Sequence, residues 1–455
     1  MNKRLVRSGM AVLALLGAAS APLAAQGGQA GRVNFETYRL PNGLRVILAP
    51  DPAVGAVSVN VWYDVGSRDE PAGRTGFAHL FEHMMFQGSA NVAKGDHFVL
   101  VERAGGDMQN GTTEWNRTNY YQTLPSNRLN LGLWLEADRM RSLAVTQENL
   151  DNQRQVVQEE KRQRVDNQPY VGAMYETLIG LYNPQTCFPY AHSIIGSFDD
   201  LNAASLDDVK NFFRTYYAPN NATLTLTGGF DPAQARQMIQ QYFGDIARAP
   251  DAPRTTCTQP FTHLPQARTV QDPRAPLPAV MIAYGVPAPT EADYPAVSLL
   301  NSILVSGQNS RLTERLVNRE KAAISVNPLF LANRGPSTAM YWLNAAQTVE
   351  PARLQALFDE EIERVRREGV TEDELTKARN GMRAQQIFER QTPHGTAEAL
   401  QFSTHYFGDP AHINRSLEPY MAVTRDDIRR AAERYLSAQN RIVVTVVPAP
   451  AAAQE

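Results

Sequence analysis

The sequence predicts an α+β fold built from two similar halves, each an antiparallel sheet with helices packed on one face. Three observations predict it. The first is an internal repeat. Asp207-Asp208-Val209 opens a helical pattern that reaches Tyr216-Tyr217, then Asn220-Asn221 and an apolar strand over 223–227; Asp426-Asp427-Ile428 opens the same pattern, reaching Tyr435-Leu436, Asn440 and a strand over 442–447. The spacings 426 − 207, 435 − 216 and 440 − 221 are all 219, and the same offset pairs Gly88 with Gly307, each after an apolar helical stretch (77–87 and 296–306). The second is that strand and helix patterns alternate within one half, with strand patterns on both sides of the helices. The third is composition: 43% hydrophobic and 20% charged residues are ordinary for a globular chain, and 29 Gly with 29 Pro break it into many short elements. The repeat gives units at 33–248 and 266–449, joined by a connection at 249–265. That connection opens a stretch rich in Pro, Thr, Gln and Arg that runs to 278.

Taken in order, the patterns at 36–40 and 44–48 flank Pro41-Asn42-Gly43, a hairpin signal. Residues 56–63 alternate as a further strand. A helix is expected over 76–87, with Thr75 as N-cap and Gly88 placed to end it. Further helices are expected over 128–143 and from Glu148 into the charged stretch near Arg164.

The two ends read differently. Lys3, Arg4 and Arg7 precede a short apolar run and then small residues to Ala25, the pattern of a secretory signal peptide over 1–25. Its removal takes three of the 44 basic residues and none of the 47 acidic ones, moving the formal charge from −3 to −6. A chain of that charge is not a generic phosphate-backbone binder, so no nucleic-acid partner is expected. No later segment has the length and apolarity of a membrane span. The expectation is an exported, periplasmic protein. Export permits a disulfide between the two cysteines, Cys187 and Cys257, although their spacing alone does not place them in bonding distance. The last residues, from Pro448 on, read as frayed.

The helix at 76–87 carries His79-Leu80-Phe81-Glu82-His83. At 3.6 residues per turn the two histidines stack on one face and can chelate one ion, while Glu82 reaches the same space as a proton acceptor. H-x-x-E-H is the inverted zincin signature. Among the eight histidines, this is the one such pair. Two imidazoles leave a zinc ion short of the usual three protein ligands. The charged helix over 152–164 offers Glu159 and Glu160; the apolar pair Val156-Val157 sets its inner side, which favours Glu160 without excluding Glu159.

With the inverted motif, a Glu 77 positions after its second His and two similar halves, the chain resembles the pitrilysin/insulinase/processing-peptidase family of zinc metallopeptidases. Gly105-Gly106, Asn110-Gly111-Thr112-Thr113 and Thr118-Asn119-Tyr120 look like that family's active-site edge strands, 135–140 is similar to its following helix, and Pro219-Asn220-Asn221 resembles its domain-closing segment. The likeness covers the mature chain and is strongest from Phe77 to Gly196. It implies a half-clamshell fold, one zinc ion per chain held by His79, His83 and Glu160 rather than Glu159, and Glu82 as catalytic base. It also implies an unfolded peptide substrate laid as an added strand along Asn110, Gly111 and Thr112, where main-chain hydrogen bonds supply affinity. The resemblance thus implies a zinc metalloendopeptidase.

Departures from the family pattern shape the partner expectation. The supporting Glu that the family often places seven residues before the third ligand is Gln153 here. Ser298, Asn301 and Ser302 stand where the second half would repeat His79, Glu82 and His83, so that half holds no metal set. Its Arg and Tyr, which in the family orient substrate, fall on Val317 and Ile324; Arg315, Arg319 and Tyr341 are the nearby substitutes. Family members of this length work as dimers that enclose a chamber. A chain with the metal set and without the Arg/Tyr pair resembles the zinc-bearing subunit of a heterodimer whose partner supplies that pair, with a homodimer as the alternative. Competing functions are a non-catalytic assembly subunit that retains a zinc site, and a zinc hydrolase of another bond.

Overall fold

A computed structural model describes residues 31–449; the expected signal peptide and residues 450–455 lie outside the described residues. The strands are β1 (Glu36–Arg39), β2 (Arg45–Pro50), β3 (Ala56–Tyr63), β4 (Asp107–Thr113), β5 (Thr118–Pro125), β6 (Ala222–Gly228), β7 (Gln266–Asp272), β8 (Ala279–Val286), β9 (Ala323–Leu331), β10 (Ser337–Ala345) and β11 (Arg441–Pro448). In the first half the helices are α1 (Phe77–Met84), α2 (Asp96–Arg103), α3 (Leu129–Ser142), α4 (Gln147–Lys161), α5 (Val171–Gly180), α6 (Phe198–Ala203), α7 (Leu206–Tyr216) and α8 (Pro232–Phe243). The second half adds α9 (Tyr294–Val305), α10 (Pro351–Glu368), α11 (Glu372–Glu389), α12 (Pro393–Phe407), α13 (Glu418–Ala422) and α14 (Arg425–Tyr435).

The strands form two sheets, ordered β1-β2-β6-β3-β5-β4 and β7-β11-β8-β10-β9. The orders match strand for strand once β1 is set aside. Each sheet is antiparallel except for one parallel pair, β2 with β6 and β7 with β11. A strand that re-enters the sheet from a helix on its face can run parallel to its neighbour, and α7 and α14 deliver β6 and β11 in this way. The repeat is also visible in hydrogen bonds. Ser205 with Asp208, and Thr424 with Asp427, form capping boxes at the starts of α7 and α14. Asn221 and Asn440 each donate to a tyrosine carbonyl five residues earlier, Tyr216 and Tyr435, both at 2.8 Å.

The α+β two-domain architecture is the one expected from the sequence, with two additions. β7 lies inside the stretch read as a connection to 278, because Arg268 and Thr269 are exposed while the backbone pairs in register with β11. A strand at a sheet edge shows little apolar pattern to read. The halves also exchange helices, so each sheet has its second face covered. α5 leaves the first half and sets Ala173 and Leu178 against Met281, Ile442 and Val444 of the second sheet. α12 leaves the second half and covers β3 and β6. This second interface is polar: Glu398 Oε1 accepts from Asn60 Nδ2 at 2.6 Å and Asn119 Nδ2 at 3.1 Å, and Gln401 Nε2 donates to the Thr223 carbonyl at 2.8 Å. Ser58 and Asn60 are buried here although they fall on the polar side of the 56–63 alternation.

Ion pairing also joins the halves, and a disulfide ties the first half to the connection. Asp64 meets Arg334 at 2.6 Å, Arg254 at 2.9 Å and Arg68 at 3.2 Å. Cys187 and Cys257 are bonded, Cα to Cα 4.2 Å, across 70 residues of sequence. On chain-entropy grounds a loop of that length contributes about 4 kcal/mol. Replacing both cysteines by alanine is expected to lower the denaturation midpoint in urea accordingly. An unchanged midpoint would show that other contacts already close the loop.

Candidate metal centre and peptide edge

α1 is anchored by Phe77, Leu80, Phe81 and Met84, all in the core. That fixes the opposite side, where the His79 and His83 rings lie with centroids 4.8 Å apart. α4 packs beside α1 and brings Glu160 to them: its Oε2 is 3.3 Å from His83 Nε2 and 3.7 Å from His79 Nε2. Glu159 points to solvent and pairs with Arg162 at 3.3 Å. The alternative that helix periodicity left open is therefore decided by which side of α4 meets α1.

The donor set suits zinc. One atom from each of His79, His83 and Glu160 lies within 4.8 Å of the others. A tetrahedral ion with ligands at about 2.0–2.2 Å separates neighbouring donors by roughly 3.3 Å, close to the distances found. Two imidazoles and one carboxylate, three protein donors rather than four, form a catalytic rather than a structural donor set. Among the described residues no second group of three such side chains occurs.

The electrostatics follow from the packing. Burial, reinforced by the His83 charge, pulls His79 down to about 4. Burial also pulls on His83, but its hydrogen bond to Glu160 and the two nearby carboxylates outweigh it and hold His83 above its usual range. That hydrogen bond lowers Glu160 in turn. Gln153 is buried, donates its amide to Asn152 Oδ1 at 2.8 Å, and lies near enough to His83 to add to the raising of its pKa.

Glu82 sits on the flank of the pair, under β4. Thr113 Oγ1 donates to Glu82 Oε2 at 2.6 Å, and burial raises the pKa of the carboxyl. Gly111 makes this approach possible, since a Cβ there would meet Glu82 Cγ at 3.0 Å and the Tyr120 ring at 3.1 Å. Asn110, Gly111 and Thr112 lie on β4 itself, opposite Tyr121, Tyr120 and Asn119 of β5. β4 is the last strand of its sheet. Its outer edge therefore runs past Glu82, with Gly111 and Thr113 facing α1 and Asn110 and Thr112 facing away. Thr112 spends its hydroxyl on Asn119 Oδ1 at 2.6 Å.

Several expectations are corrected. The N-cap of α1 is Gly76, not Thr75, because the Thr75 hydroxyl is bonded to Asp200 and the turn needs a left-handed residue (φ 87). Tyr341 is no substitute for the missing tyrosine: it is buried, 5.4 Å from the Phe358 ring. Arg315 is tied to Glu360 at 2.8 Å and Glu320 at 3.2 Å. Val317 packs on the second core, and Ile324 lies exposed on the edge strand β9. Sequence reasoning also missed two roles. Thr113 was read only as part of an edge strand, and its hold on Glu82 needs the sheet to be seen. Glu70 accepts from the Gly76 and Ala78 amides at the start of α1, and no sequence motif announces it.

A helix with the inverted motif, a third side chain of metal-ligating type from a neighbouring helix and a sheet edge beside them are the arrangement of a peptidase-type site, and comparison with known proteins agrees. The family model described as Insulinase (Peptidase family M16) matches residues 45–179, and that described as Peptidase M16 inactive domain matches residues 203–382. The zinc protease PqqE of Helicobacter pylori is 28% identical over 353 residues, 77% of this chain and 78% of that protein. The solved structure of a protease from Helicobacter pylori superposes with a TM-score of 0.82 at 25% identity, covering 91% of this chain and all (100%) of that one. The mitochondrial-processing peptidase subunit beta of Blastocladiella emersonii is 26% identical over 211 residues, 46% of this chain and 44% of it. The chain belongs to the M16 peptidase family. The match to the inactive-domain model falls largely on the half in which Ser298, Asn301 and Ser302 replace the metal set.

Proposed function

We propose that the protein is an exported zinc endopeptidase that hydrolyses unfolded peptides, with one zinc ion held by His79, His83 and Glu160. The observation that carries the reading is the placement of Glu82 between that donor set and a free sheet edge. When bound, zinc supplies a lowered pKa for water and polarises the scissile carbonyl. The chain's own residues do the rest. β4 binds the peptide as an added strand through its main chain. Glu82 takes the proton of the attacking water at its carboxylate and returns it to the leaving amine. Thr113 orients Oε2 for that exchange, and burial, which raises the Glu82 pKa, suits a group that must both take and give a proton.

The partner reading is that this chain is the zinc-bearing half of a heterodimeric chamber. It is supported by Val317 and Ile324 at the Arg/Tyr positions and by a relative that is itself named as a subunit. The signal-like pattern over 1–25 supports periplasmic residence, and no helix of the described residues is long and apolar enough to cross a membrane. A purely structural subunit has no use for Thr113 holding Glu82 beside a chelating pair. The test is incubation of the purified chain with a mixture of unstructured peptides, read by mass spectrometry with and without a chelator. Cleavage that the chelator abolishes supports a self-sufficient peptidase and removes the obligatory partner. A zinc-loaded, inert chain that becomes active with a co-purified second subunit supports the heterodimer, and zinc-dependent hydrolysis of esters but not peptides would overturn the peptidase reading.

A further inference from the structure

α1 starts without a side-chain cap, because its N-cap is glycine, so its first N–H groups need partners from elsewhere. Glu70 supplies them: Oε2 accepts from Gly76 N at 2.9 Å and Oε1 from Ala78 N at 2.7 Å. Ala78 is the residue before His79. The Glu70 side chain is fully buried (0% exposed), and its charge lies at the positive end of the helix.

Behind Glu70 stands His192, also buried. Its Nε2 is 2.8 Å from the Ser67 carbonyl and 3.2 Å from Glu70 Oε2, and its Nδ1 is 2.8 Å from the Phe188 carbonyl. Every one of these neighbours is an acceptor. A neutral imidazole carries one N–H, so either tautomer would turn a lone pair against an oxygen; the imidazolium satisfies both nitrogens. The other charged groups nearby are engaged elsewhere. Arg68 pairs with Asp64 and Asp69, Arg254 pairs with Asp64, and Tyr216 donates to the Asp69 carbonyl. The histidine side is itself held. The His192 ring stacks on Phe188 at 4.6 Å, and the residue before Phe188 is Cys187 of the disulfide.

We propose that Glu70 and a protonated His192 form a buried ion pair that positions α1, and with it His79, Glu82 and His83. Neither residue touches substrate or metal; they are positioning residues acting through the backbone of α1. The inference rests on the reading of α1 as a zinc-bearing helix, so its test includes readouts that do not need activity.

The full chain is compared with E70Q, H192Q and the double variant. In the metal-free wild type at neutral pH, proton–nitrogen correlation spectra of the imidazoles are expected to show both His192 nitrogens protonated. A neutral His192 overturns the proposal. In E70Q the Gly76 and Ala78 amides are expected to lose protection from hydrogen exchange. Zinc affinity, measured by competition with a chromophoric chelator, is expected to fall about tenfold in each single variant, as for outer-shell partners of metal ligands. The double variant, neutral again, is expected to be no worse than either single, because one buried charge left alone is costlier than none. On a peptide substrate kcat falls with KM unchanged. A silent H192Q or strictly additive losses would reduce Glu70 to a plain helix cap and sink the ion pair. If the single variants do not fold, the wild-type spectrum still decides. If the wild type binds zinc but cleaves no peptide, the peptidase reading fails while the spectrum and the amide protection still test the pair.

Discussion

Glu82→Gln is expected to abolish turnover while leaving zinc in place. The amide keeps the shape of the side chain and still accepts the Thr113 hydroxyl that now lies 2.6 Å from Oε2, but it cannot take a proton. Loss of a positioned general base costs about 10²–10⁴-fold in rate. It should appear in kcat with KM nearly unchanged, because β4 and its main-chain donors and acceptors are untouched. Metal content by mass spectrometry and kcat by peptide cleavage are the measurements. A variant that turns over at the wild-type rate removes Glu82 from the chemistry, and one that loses its zinc would show that Glu82 is a ligand.

Glu160→Gln is expected to have the largest effect on metal binding. It removes the one anionic donor, whose Oε2 faces both histidines, so zinc affinity should fall by more than the roughly 10–100-fold typical of outer-shell changes. The loss carries a stability signature. At a hundredfold excess over its dissociation constant, zinc stabilises the wild type by about 2.7 kcal/mol through mass action; in Glu160→Gln the same zinc concentration should give almost no shift in melting temperature. The pH dependence follows from His83, whose pKa in the metal-free protein is raised chiefly by the hydrogen bond to Glu160 against the pull of burial. A raised pKa means that His83 holds its proton to higher pH. Zinc must displace that proton, so apparent affinity falls as pH falls through the raised value. His79, drawn down to about 4, is already neutral near pH 7 and contributes no such step there. Calorimetric titration in buffers of different ionisation enthalpy should therefore show proton release on zinc binding that grows as pH falls through the raised His83 value, and less release in Glu160→Gln. Equal proton release in the two proteins would mean that Glu160 does not set the His83 proton.

Much of this was legible in the chain. The pairing of His79 with His83 needs only helical periodicity, and the repeat needs only a constant offset of 219 carried by Tyr216 and Tyr435, Asn221 and Asn440. The β1–β2 hairpin followed from Pro41-Asn42-Gly43, with Gly43 in the left-handed region (φ 95). Other features were out of reach. The exchange of α5 and α12 leaves no local signal, because a helix reads the same whichever sheet it covers. β7 is an edge strand with little burial, so the pattern that reveals a strand is absent. Asn60 falls on the polar side of its strand's alternation and is buried, because its polar partner Glu398 comes from α12, more than 300 residues later.

The sequence by itself determined the chemistry-bearing helix, the two-fold repetition and the absence of a metal set in the second half, since these depend on residue type and short-range period. Helix periodicity left Glu159 and Glu160 open and the resemblance implied Glu160; the tertiary structure places Glu160 against the histidines, and it alone decided that Thr113 holds Glu82, that Cys187 bonds Cys257 and that Glu70 and His192 stand behind α1. Each of these joins side chains tens of residues apart in the chain. Distance in space between such groups is set by how whole elements pack, and packing depends on the shape of every surface in contact rather than on any local run of residues.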